Sequence, residues 1–234
     1  MIRSLRRDPP SARMTVRRMG ERGHYDRQTI LDVLRAGMVC HVGIVEHGVP
    51  LVIPMAYGIM GGEIVLHGMA ASRLQASLRS KAEVCVTVTV LDGVVLATSA
   101  FEHSMNYRSA VIVGRPRWLR DTASKLVALR AVSDQLVPGR WEDVRPPSAA
   151  ELKQTHVCAI SLHESSAKVR SGPPSADDEP WSTWTGVLPL GMVRGAPEPD
   201  AGATQPLPSY LAATMQTRVS PGEGPRAHSE DIDD

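Results

Sequence analysis

Apolar positions recur with the helical period in a few windows of the chain and with the strand period of two in most others. Asp26 precedes a window in which Ile30 and Leu34 share a helical face, and Gly37 closes it, so a short helix is predicted there. Residues 38–46 and 49–57 read as strands joined by the tight turn Glu46-His47-Gly48. Met60-Gly61-Gly62 then leads into a strand at 63–67, giving a three-strand meander. Leu74 and Leu78 mark a short helix over 72–80.

Beyond it, residues 83–91 are dense in Val and Thr and are predicted to turn at Leu91-Asp92-Gly93 and pair back with 94–99, while 107–119 form a long strand. A helix over 121–136 presents Leu126, Leu129 and Leu136 and stops at Pro138-Gly139. Ser148 and Glu151 form a capping-box pair for one more short helix, and 156–163 reads as the last strand. About seven short strands with helices beside them, and no βαβ repeat, predict a mainly β fold. The simplest closure is a small, mostly antiparallel barrel, which removes the edges that so many strands would leave exposed.

Composition refines this outline. With 234 residues and 42% hydrophobic content, the chain can bury one substantial core. That core is expected over 23–190. Residues 1–22 carry seven arginines and little apolar periodicity, and are read as a basic, disordered arm or leader that could dock something acidic. Residues 191–234, rich in Pro, Gly and acidic side chains, are read as a disordered tail.

A net charge of +1 gives no global field for nucleic acid or an anionic membrane, so a small ligand held by local groups is expected. No apolar stretch has the length of a signal core or a span, which suggests a cytoplasmic protein. Cys40, Cys85 and Cys158 are odd in number and widely spaced inside apolar runs, which suggests buried reduced thiols rather than a disulfide framework or a metal site. His41, His67 and His103 lack metal-ligand spacing, GMVCHVG and GIMGG do not sit at strand-to-helix turns of a βαβ unit, and no G-x-S-x-G elbow occurs.

Three segments concentrate polar chemistry. HGMAASR, residues 67–73, ends a strand at a glycine and puts Ser72 and Arg73 in the first turn of a helix, suited to a phosphate, although Ser72 could equally be a plain cap. SAFEHSMNYRS, residues 99–109, crowds His103, Asn106, Tyr107 and Arg108 between two apolar strands, as a site lip or an exposed loop. SSAKVRSGPP, residues 165–174, alternates Lys168 and Arg170 on one face of an extended segment, with Trp181 and Trp184 after it.

Taken together with HYDRQTI at 24–30, CHVG at 40–43, LDGVVLATSAF at 91–101, PGRW at 138–141 and RPP at 145–147, these motifs resemble the flavin-nucleotide-binding branch of the pyridoxamine 5'-phosphate oxidase-like proteins, the branch that includes nitroimidazole-resistance proteins. The resemblance runs in order over about residues 20–190. It implies a split β-barrel that dimerises, with FMN in a groove between subunits. Position by position it implies that Ser72 and Arg73 contact the phosphate, with His67 at the end of the strand before them. It implies that the strand Ile53, Pro54, Met55, Ala56 and Tyr57 lines the isoalloxazine ring and hydrogen-bonds the flavin edge through its backbone. Asn106, Tyr107 and Arg108 would face the cofactor, and Lys168 with Trp184 would lie near the partner's site.

Met69 stands where the family usually has serine, Glu102 where histidine is common, and the C-terminal Arg-x-His segment of true pyridoxamine phosphate oxidases is absent. The expectation is an FMN-dependent oxidoreductase acting on a small molecule, with a nitro compound as one candidate substrate, NAD(P)H as a candidate donor and Tyr107 or His103 as the proton source. The alternatives are a non-catalytic flavin carrier or sensor, and the same barrel holding deazaflavin or haem.

Overall fold

The computed structural model describes residues 8–79, 82–175 and 182–215. Helix α1 (Arg27–Ala36) forms as predicted: Asp26 accepts a hydrogen bond from the Thr29 N–H, Ile30, Val33 and Leu34 are buried, and Gly37 caps the end. Strands β2 (Val39–Glu46) and β3 (Val49–Ala56) pair antiparallel across a hairpin whose turn residues, His47 at φ 51° and Gly48 at φ 80°, both take left-handed backbone. That conformation matches the twist of a two-residue hairpin. A two-residue strand β1 (Gly23–His24) precedes α1.

The expected meander breaks at Tyr57. Strand β4 (Gly58–Met60) leaves the first sheet, and β5 (Glu63–Met69) pairs with β4 and β9 (Thr155–Ser161) rather than with β3. The cause is packing. Tyr57 is fully buried and its hydroxyl donates to the Leu34 carbonyl, while Gly58 runs so close to the helix α3 (Thr122–Leu136) that a Cβ would sit 2.5 Å from Ala131 C. The same approach explains why α3 buries the small face of Ala128 and Val132, leaving Leu126, Leu129 and Leu136 only half-buried.

A second departure concerns the predicted turn at Leu91-Asp92-Gly93. After the short helix α2 (Arg73–Arg79), β6 (Val84–Leu96) runs straight through these residues. It pairs with β7 (Ser104–Gly114), with a register shift between Leu91 and Gly93. Asp92 is the extra residue of a β-bulge, and the glycine that suggested a turn serves the bulge instead. Strand β8 (Arg117–Trp118) is separate, α4 (Arg140–Asp143) follows Gly139, and α5 (Ala149–Gln154) carries the complete Ser148–Glu151 capping box. Strand β9 is not the last: β10 (Ser165–Arg170), β11 (Gly186–Pro189) and helix α6 (Ser209–Met215) come after it.

The strands form two antiparallel sheets of a split β-barrel. The larger runs β1-β10-β7-β6-β2-β3 with β11 added to β6, and the smaller runs β4-β5-β9-β8. The main core lies between them, built from residues such as Leu34, Val42, Leu66, Val86, Ile112 and Ile160. A second core beneath α3 joins Val65, Leu119, Val132 and Val157. On the larger sheet the opposite face carries exposed apolar side chains, among them Val39, Val45, Val52, Leu91 and Met105.

Residues 8–22 are not the free arm that composition suggests. Met14 is buried, Ser11 and Arg13 bond Glu164, Arg13 also bonds Glu83, and the Val16 N–H donates to the Tyr25 hydroxyl. The tail likewise lies against the barrel as far as α6, where Tyr210 bonds Arg140 and Asp143, while Arg194 donates to the Leu136 carbonyl. Composition averages over a segment, and a few well-placed anchors escape it. The remaining parts of both readings, residues 1–7 and 216–234, lie outside the described residues.

Gly58→Ala is expected to destabilise the chain by about 1–3 kcal/mol, because the new methyl meets backbone that cannot swing aside as a side chain would. Chemical denaturation measures this, and Gly61→Ala is no substitute control because Gly61 sits at φ 63°.

Candidate functional site

Strand β3 ends the larger sheet, so among the described residues one of its edges has no neighbouring strand. Of the residues expected to line a flavin ring, Ile53 and Met55 pack inward against the main core, Pro54 is exposed, and Ala56 packs on the second core. The Tyr57 ring is sealed in the core and its hydroxyl is used on Leu34, so its side chain does not face a ligand and only its backbone is left for one. The edge contribution of β3 is therefore backbone and the small side chains of Pro54 and Ala56.

The next predicted residues lie where β5 ends. Ser72 accepts from the Gln75 N–H at 3.3 Å, which makes it the cap of α2. Arg73 opens α2, and its side chain lies outside the described residues. Met69 is 71% exposed. His67 has a buried Nδ1 with no hydrogen-bond partner, and burial pushes its pKa below the ordinary value.

Sequence reasoning missed Gln75. It is fully buried, neither amide atom has a partner, and it sits over Gly68, where a Cβ would come within 2.7 Å of Nε2. The signal available was a polar residue inside the Leu74–Leu78 stripe. Gly68 pairs with His156, whose ring meets Trp118 edge-on at 5.4 Å, and His156 Nδ1 and Trp118 Nε1 are also buried without partners. Buried polar groups are nearly always bonded, so several unbonded ones along β5, β9 and α2 mark a place suited to a polar ligand or ordered water.

The other predicted residues gather across the larger sheet. Arg108 points inward and makes two hydrogen bonds to Asp92 at 2.8 and 2.7 Å, in a pair whose side chains are 17% and 14% exposed. Its charge is thus committed to the bulge, and the Asp92 carboxylate raises its pKa further. Asn106 is also committed: its Nδ2 donates to the Gly172 carbonyl at 3.1 Å, and its Oδ1 accepts from Arg170. Lys168 donates to the Arg18 carbonyl at 2.9 Å. Tyr107 is half-buried on the outward face directly opposite Arg170, His103 is exposed beside the turn that precedes β7, and Trp184 is 66% exposed. Trp181 lies outside the described residues.

The predicted residues fall in three places: on β3, where β5 meets α2, and around β7 and β10. Strands β6 and β2 stand between β7 and β3, so those two strands are about 14 Å apart across the sheet at ordinary strand spacing.

The cysteines are free. Cys40 and Cys158 are buried, and burial pushes both thiols up to about 12. Among the described residues, no helix is long and apolar enough to cross a membrane.

The sequence family described as pyridoxamine 5'-phosphate oxidase matches residues 26–169. The chain belongs to that family. It is a flavin-binding family of the split-barrel type, as the motifs implied. Among solved structures, the flavocytochrome Anf3 from Azotobacter vinelandii is 37% identical, with a TM-score of 0.84 over 89% of this chain and 99% of that one. The FAD and heme binding protein from Mycobacterium smegmatis is 33% identical, with a TM-score of 0.79 over 85% of this chain and 99% of that one. A Bacteroides thetaiotaomicron structure described as a 5-nitroimidazole antibiotic resistance protein is 24% identical, with a TM-score of 0.53 over 62% of this chain and 84% of that one, and shares the fold. Comparison with curated proteins gives no match.

Two measurements test the assignments above. Asp92→Ala strands the Arg108 guanidinium without its counter-charge and is expected to cost about 3 kcal/mol, whereas the double variant with Arg108→Met recovers much of that loss in a double-mutant cycle. The unfolded chain takes up a proton at His67 more readily than the folded one. Stability from this residue is therefore complete above pH about 6.5 and falls away below it. His67→Gln should flatten the acid limb of a plot of Tm against pH.

Proposed function

We propose that this chain is a flavin-dependent redox protein working as a homodimer, with FAD as its nucleotide and a haem as a second redox group. The observation that carries the reading is the likeness over nearly the whole chain to two structures whose descriptions name a flavocytochrome and a FAD- and heme-binding protein. The likeness to the nitroimidazole-resistance structure covers less of the chain at lower identity, so nitro reduction is not the favoured activity.

The residues present suit both groups. A flavin ring needs a flat wall with backbone donors and acceptors, and the free edge of β3 offers one where only Pro50 and Pro54 lack an N–H. Ser72 and Arg73 are proposed to take the phosphoryl end, in keeping with the family motif. A haem needs an imidazole with a free nitrogen. His67 and His156 each bury an unpartnered Nδ1, and both are biased toward the neutral form that ligates a metal. Flavin and haem, when bound, supply the hydride and electron chemistry.

The chain's own part is to hold, exclude water and deliver protons. Tyr107 and His103 are the groups proposed to protonate a reduced product, with Lys168 and Trp184 near the partner's site. Those residues lie far from β3 within one protomer, so a second copy is needed to close the groove. The bare apolar face of the larger sheet supports that association, since monomers seldom expose so many large apolar side chains together.

The absorption spectrum of the purified protein is the direct test, expected to show a flavin envelope together with a Soret band. Flavin without the Soret band, released as FMN, would restore the simpler FMN reading; a colourless protein would end both. Val52→Lys, at a 66% exposed position, should leave the fold intact but give monomers in light scattering and drain the flavin.

A further inference from the structure

Arg170 ends β10 on the outward face of the larger sheet, yet it is only 8% exposed. Its hydrogen bonds go to neutral oxygens, Asn106 Oδ1 and the Pro173 carbonyl at 3.3 Å, and its Nε is buried with no partner. Among the described residues no carboxylate lies within ion-pairing distance of it. The other half-buried guanidinium of this lip, Arg108, is fully matched by Asp92. Arg13, Arg117 and Arg145, all more exposed, each meet a glutamate.

Burying a cation without a counter-charge costs several kcal/mol, and the cost is recovered only when an anion arrives. The surroundings add to the imbalance. Arg22 lies near enough that its like charge, after burial itself, pushes the Arg170 guanidinium below its ordinary value. Lys168 shares the same face two residues earlier and, among the described residues, its ammonium is bonded to a carbonyl and to no carboxylate. Tyr107 stands directly across the strand pair from Arg170, where side chains meet, and brings a phenol O–H as a further donor. Asn106 fixes both Arg170 and the Gly172 backbone, so the guanidinium is held in place rather than left free to swing into solvent.

We infer that Arg170, with Tyr107 and Lys168 beside it, forms an anion-binding subsite for a phosphate group, separate from the Ser72–Arg73 end of the groove. The guanidinium supplies a planar fork that fits two phosphate oxygens, and the cost of burying it is met by the ligand's charge. The occupant is a phosphate-bearing molecule, whether a nucleotide bound to this chain or its partner copy, or free phosphate. Only the choice among these occupants rests on the flavin reading.

Two measurements on the full chain test the subsite: the phosphate-bearing ligand released when the purified protein is denatured, and calorimetric titration with inorganic pyrophosphate after dialysis. Arg170→Gln keeps a donor for Asn106 and is expected to lower occupancy or pyrophosphate affinity about tenfold or more, the loss typical of a charged hydrogen bond. Arg170→Lys, a point charge without the fork, should fall between the two. If R170Q lowers Tm but leaves both ligand measurements at wild-type values, Arg170 is structural and the inference is overturned. Should R170Q fail to fold, wild-type pyrophosphate binding in R170K overturns it equally. Asp177, Asp178 and Glu179 lie outside the described residues, and neutralising all three as D177N/D178N/E179Q should leave pyrophosphate binding unchanged. A large gain in that variant would show that the chain already neutralises Arg170 and would overturn the subsite. Adding ADP and FAD to the titration separates a nucleotide from free phosphate. Pyrophosphate binding through Arg170 in a protein that never takes up flavin would sink the flavin reading and leave this one standing.

Discussion

The end of α1 is the joint on which the rest of the barrel depends. The Tyr57 hydroxyl donates to the Leu34 carbonyl, and Gln135 of α3 donates to the carbonyls of Leu34 and Gly37 at 2.9 and 2.6 Å. Carbonyls that a helix leaves open at its C-terminus are thereby closed by two elements distant in sequence. One residue later the chain crosses from the large sheet to the small one, with Gly58 pressed against the α3 backbone. Without that crossing β3 would not end the larger sheet.

The local elements were legible because each is set by neighbours in sequence. Asp26, Asp121 and Ser148 cap the helices they precede, and His47-Gly48 makes the hairpin it suggests. The misreadings share one cause. Tyr57 reads as the last residue of an amphipathic strand, and nothing nearby in sequence shows that its hydroxyl finds a carbonyl 23 residues back. Leu91-Asp92-Gly93 has a turn's composition, but Arg108, sixteen residues on, gives Asp92 a reason to sit in a bulge.

The site divides along the same line. The family motifs singled out these stretches of chain, while the alternation along β7 decided which side chains are free. Arg108 faces in and is spent on Asp92; Tyr107 faces out and remains available. What sets Gln75 and Arg170 apart is a missing partner, and a sequence cannot display one. The one residue that could have raised suspicion is Gln75, polar on an otherwise apolar helical face.

A free strand beside a row of bare valines is a hazard. Such an edge invites other chains to add on as further strands, and the outcome is uncontrolled aggregation. Strand β3 carries Pro50 and Pro54, which withhold two backbone donors from any strand that tries to pair there. The edge therefore refuses a full ladder. Those two prolines guard solubility at the strand where the chain is most open to its own kind.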